Sequence, residues 1–113
     1  MTKLSDLTTD QKQTIVDGLQ VMLDKVIVPT AKYLAGNPRK YSRDAIKVVE
    51  INGEKYQIHP VIVGSNTDDF FTINITITKG SMIDDPVSTF SGKFTSYADV
   101  QLKIDDYKKE ILA

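Results

Sequence analysis

Apolar positions in this chain fall into two spacings, and the switches between them mark out the elements. From Ile15, residues Leu19, Met22 and Val26 follow at steps of four, three and four, with Val16, Leu23 and Ile27 beside them, the pattern of an amphipathic helix. Thr8-Thr9-Asp10-Gln11 supplies its start. The Thr8 hydroxyl caps the N–H of the third helical residue, Gln11 reaches back, and Asp10 complements the positive end of the helix dipole. Gly18 lies at the border of the stripe. A helical glycine costs about 1 kcal/mol relative to alanine, so its presence predicts close packing against the backbone there. Pro29 predicts an end or a kink, with a further short helical stretch from Thr30 to Ala35 before Gly36 stops it.

The period then changes to two. Asn52-Gly53 between Ala45–Ile51 and Glu54–Val63 predicts a two-residue hairpin turn, which sets Ile51 opposite Glu54, Glu50 opposite Lys55 and Val49 opposite Tyr56. One face of that hairpin gathers Ala45, Val49, Ile51, Tyr56 and Ile58. The other carries Glu50, Lys55, Val48, Gln57, Ile46 and His59 and is only half polar. Phe71, Ile73, Ile75 and Ile77 alternate with Thr72, Asn74, Thr76 and Thr78, a strand with β-favouring residues on both sides. Residues 87–94 read as a further strand weakened by Gly92. Ser96-Tyr97-Ala98-Asp99 opens a last helix, whose stripe Tyr97, Val100, Ile104, Tyr107 and Ile111 suits a helix lying on a sheet.

The order predicts an α+β fold: an N-terminal helix kinked near Pro29, an antiparallel meander of three to four strands, and a C-terminal helix packed on the sheet, with both helices on one face. At 113 residues this is a single domain spanning 1–113. The first ten residues are polar and the longest aliphatic runs, Val26–Val28 and Val61–Val63, are far short of a membrane span, so a soluble, cytoplasmic protein is expected. Twelve lysines against two arginines, with twelve isoleucines, point to an AT-rich coding sequence and a bacterial or phage origin.

Composition narrows the chemistry. Without cysteine there is no thiolate metal site, disulfide or cysteine nucleophile, and one histidine excludes His-rich zinc sites. A net charge of −1 advertises neither nucleic acid nor membrane. No phosphate-binding glycine pattern or serine-nucleophile elbow is present, so no cofactor, metal or catalytic residue is assigned. His59, alone before Pro60, has no orienting acid nearby in sequence. Asp68-Asp69 and Asp84-Asp85 read as turn aspartates that would hold a cation only if the two loops met, and Asp105–Lys109 and Asp99–Lys103 as surface pairs of the last helix.

Two features remain. Between Lys32 and Lys47 five basic residues face one acid, and Arg39, Lys40 and Arg43 around Tyr41 form a candidate nucleic-acid or anion site, the arginines and lysine on phosphates and the tyrosine on a base. There is also surplus apolar surface: Val21 and Val28 outside the stripe of the first helix, and Ile46, Val48, Val61 and Val63 on the second hairpin face. These six are either covered within the molecule or form an interface, with another protein or in a homodimer. A non-enzymatic protein-binding or assembly protein is the expected function, with a nucleic-acid-binding module using loop 39–43 as the rival reading.

Overall fold

A computed structural model describes residues 3–37, 39–80 and 86–113. Helix α1 runs over Thr9–Met22 and starts as its sequence dictates: the Gln11 N–H donates to the Thr8 hydroxyl at 3.2 Å, and the Thr8 N–H to the Gln11 side chain at 2.8 Å. Pro29 does not end the helix. A π-helical turn over Leu23–Ile27 leads directly into α2, Val28–Leu34, which carries Pro29 in its first turn. Proline lacks the N–H that an α-helical bond to the residue four back requires, and its ring crowds that carbonyl; the wide turn ahead of it relieves both.

The sheet has five strands: β1 Tyr41–Asp44, β2 Lys47–Ile51, β3 Glu54–Gly64, β4 Phe71–Lys79 and β5 Ser88–Phe94. All pairings are antiparallel, with β1 and β2 both on one side of β3, then β4, then β5 at the far edge. The hairpin register is the expected one, Ile51 opposite Glu54 and Val49 opposite Tyr56, with Asn52 and Gly53 both at positive φ. β1 and β2 keep one register against β3, Asp44 opposite Val61 and Lys47 opposite Ile58, so they are two pieces of a single edge broken at Ala45 and Ile46. Pro60 explains the break. Ala45 donates to the Pro60 carbonyl at 3.3 Å, but Pro60 has no N–H to return.

β5 is the fourth position of the meander, and Gly92 belongs in it for a packing reason. A Cβ there would meet the Phe94 ring at 2.8 Å, because Phe90 and Phe94 stack over the backbone, centroids 6.3 Å apart. Helix α3, Tyr97–Leu112, is capped by the Ser96 hydroxyl, which accepts from the Asp99 N–H at 3.3 Å.

Both helical segments lie on one face of the sheet, and one core joins them. From the helices come Ile15, Leu19, Ile27, Val100, Ile104 and Ile111; from the sheet come Tyr56, Ile58, Ile62, Phe71, Ile73, Ile75 and Ile77, all essentially without solvent exposure. Gly18 is where α1 meets the hairpin: a Cβ there would stand 2.8 Å from both Ile58 Cδ1 and Val49 Cγ1. Among the described residues no helix is long and apolar enough to cross a membrane.

Candidate functional site

The sheet has a second face, and among the described residues no helix covers it. Alternation along β3 sends Tyr56, Ile58 and Ile62 into the core and Gln57, His59, Val61 and Val63 outward. The register adds Asp44, Ile46 and Val48 on one side and Thr72, Asn74, Thr76, Ser91 and Lys93 on the other. Ile46, Val48 and Val63 are 55%, 48% and 42% exposed, and Val61 between them is half-buried. Four of the six surplus apolar residues thus form one patch.

The other two do not join it. Val28 packs into the core at 8% exposure, and Val21 is half-buried on α1. Ideal helical geometry places Val28 outside the apolar arc. The π turn takes up an extra residue, so positions beyond it leave that phase and Val28 turns inward, which settles its case in favour of burial.

His59 has an acid partner after all. Its Nε2 lies 3.1 Å from Asp44 Oδ2 on the open face, a contact made by strand pairing between residues fifteen apart. No serine or threonine hydroxyl completes a catalytic chain with this ring among the described residues. The Asp68-Asp69 loop precedes β4, whereas Asp84 and Asp85 follow it and lie outside the described residues. Among the described residues no group of three or more potential ligands could hold a metal ion. On α3 the surface pairs differ from the expected ones: Asp105 binds Lys108, one turn away on the ridge that also reaches Gln20 of α1, at 2.8 Å.

The basic loop folds back on the helices. Strand alternation turns Tyr41 and Arg43 toward the helical layer and Ser42 and Asp44 toward the open face. Arg43 donates to the Thr30 hydroxyl at 3.3 Å. Arg39 lies 4.4 Å over the Tyr33 ring, with its Nε buried and without a hydrogen-bond partner among the described residues. Tyr41 packs against Tyr33, centroids 5.1 Å apart. Tyr41 is thus half-buried against the core and Tyr33, while Lys40 stays exposed.

What the sequence reading missed is the surroundings of that loop. Tyr33 on α2 is 49% exposed and Tyr97, the first residue of α3, 43% exposed; Lys32 lies 5.1 Å over the Tyr97 ring. Tyr97 fits the apolar stripe of α3 by spacing, and only its place beyond the end of the sheet exposes it. Lys93 lies 4.8 Å over Phe70 at the same end, where Tyr41, Gly64, Phe71 and Phe94 stand in register.

At the opposite end of the sheet a cleft of about 210 Å³ lies between Asp6, Gln11 and the hairpin turn. Of its charged residues, Glu54 and Lys79 pair at 2.7 Å, and the Asp6 carboxylate accepts from the Lys3 N–H at 2.9 Å. No family model, curated protein or solved structure matches the chain.

Proposed function

We propose that this protein is a small non-enzymatic assembly protein that self-associates through the open face of its sheet. The observation that carries the reading is the patch of Ile46, Val48, Val61 and Val63 on a face that no other element covers among the described residues. Sheets pack face to face through short, branched residues, and among the polar side chains of this face Ile46, Val48, Val61 and Val63, with Thr72 and Thr76 beside them, supply such residues.

A second copy fits better than an unlike partner for two reasons. The eleven residues of β3 and four strand positions give a face of about 700 Å² at ordinary strand spacings, close to the roughly 800 Å² per partner of a standard interface. The patch is also confined to the β1–β3 half of the sheet. A two-fold axis lying between the sheets, perpendicular to the strands, lays that half on its own copy, apolar on apolar. Beside the patch Glu50 stands opposite Lys55, and the Asp44 carboxylate contacts His59 at 3.1 Å, so no run of like charge faces itself across the axis.

Sedimentation equilibrium tests the reading. The 12.6 kDa chain is expected to run at twice its mass, and Val48→Glu with Val63→Glu to return it to a monomer with unchanged circular dichroism. A wild-type monomer at about 100 μM, weaker than specific assemblies, sinks the proposal. So does a dimer indifferent to both charges.

A further inference from the structure

The end of the molecule around α2 has a composition unlike the rest. Lys32, Arg39, Lys40 and Arg43 fall there with no acid between them in sequence, while the other ten basic residues of the chain face fifteen acids. Among the described residues the ion pairs are His59–Asp44, Lys79–Glu54 and Lys108–Asp105, so none of the four cations is neutralised by a carboxylate. Two of them rest on tyrosine rings instead, Arg39 on Tyr33 and Lys32 on Tyr97. Significant cation–π pairs occur about once in 70–80 residues, yet all three seen here, with Lys93 on Phe70, gather at this one end.

We propose that the corner formed by Lys32, Tyr33, Arg39, Lys40 and Tyr97 binds single-stranded nucleic acid. A cation held on an aromatic ring keeps its charge and its outer N–H groups for a phosphate, which a cation bound to a carboxylate does not. Tyr33 and Tyr97, each about half exposed beside such a cation, match what a strand offers along its length, a phosphate at every step and a base to stack on the open part of each ring. An acidic peptide supplies the charge but no planar rings, and leaves Tyr33 and Tyr97 without a use. Duplex DNA buries its base faces, so the exposed rings select the unpaired strand. This goes beyond the self-association reading and is independent of it: the corner lies on the helical layer, and the proposed dimer contact on the opposite face of the sheet.

Fluorescence anisotropy with a labelled oligothymidylate of about 20 nucleotides tests it, alongside polyglutamate as competitor. Three phosphate contacts, from Lys32, Arg39 and Lys40, predict an affinity that falls about 20-fold between ~50 and ~200 mM salt. Replacing both rings, Tyr33→Leu with Tyr97→Leu, leaves the charge intact and is expected to weaken binding by roughly 5- to 150-fold per ring, whereas Tyr33→Phe with Tyr97→Phe retains it. Should the leucine variant melt early, Lys32→Ala with Lys40→Ala, at two exposed positions, reads the same site through a shallower salt dependence. The proposal is overturned by the absence of binding at ~50 mM salt. It is equally overturned if the leucine variant, folded, binds as tightly as wild type, or if polyglutamate of matched charge competes as well as unlabelled oligonucleotide.

Discussion

Single positions carry much of the specification. At Gly18 two effects oppose each other. Alanine would gain about 1 kcal/mol of helix propensity, but its methyl would enter the space of Ile58, fully buried, and of the stiff, branched Val49. Overpacking of this kind costs about 1–3 kcal/mol, so Gly18→Ala is expected to lower stability by about 1 kcal/mol net and Gly18→Val by more, read from denaturant midpoints. Tyr107 is the other sensitive residue. Burial between α3 and β5 pushes its phenol up to about 12 despite the hydroxyl contact with Ser88 at 2.6 Å, which acts the other way. A raised folded-state value means stability is fully present below the unfolded value near 10 and is lost as pH climbs toward about 12. Tyr107→Phe should flatten that alkaline loss in pH-dependent melts. At neutral pH it forfeits one hydrogen bond, about 1 kcal/mol.

At the scale of elements, periodicity told most of the story, because it reports burial directly. Every member of the first-helix stripe from Ile15 to Ile27 is buried, and Asn52-Gly53 set a register that holds through the whole edge. Element starts were legible for the same local reason. Ser96 caps α3 as its spacing to Asp99 implies, and Ser96→Ala is expected to cost about 1 kcal/mol, seen as a lower melting temperature with the fold retained. What stayed hidden were departures from ideal geometry. No residue pattern announces a π turn, so Val28 was placed on the wrong side of its helix. Pro60 signals a missing hydrogen bond but not which neighbour loses it, so the expected strand from Ala45 begins only at Lys47, and a further strand, Tyr41–Asp44, lies where the sequence reads as a loop.

The candidate surfaces belong to the whole molecule, and there the sequence said least. The members of the open-face patch were legible, since hairpin alternation already grouped Ile46, Val48, Val61 and Val63 on one face. The corner was not, because Tyr33, Arg39 and Tyr97 come from three segments that only the packing of helices on the sheet brings to one end. If the two surfaces act separately, Val48→Glu with Val63→Glu should bind oligothymidylate while sedimenting as a monomer, and Tyr33→Leu with Tyr97→Leu should still dimerise. A variant pair failing both assays together would link the surfaces. The interrupted edge bears on whether other strands can add to the sheet. An unbroken strand of eleven residues at a sheet margin is a template on which other chains add and polymerise, and the gap at Ala45 and Ile46 leaves pieces of only four and five residues. Pro60→Ala would restore the missing donor and join them. The fold should gain a hydrogen bond, and the protein should begin to form thioflavin-binding fibres on standing; that outcome would mark the flaw in the ladder as a guard against amyloid.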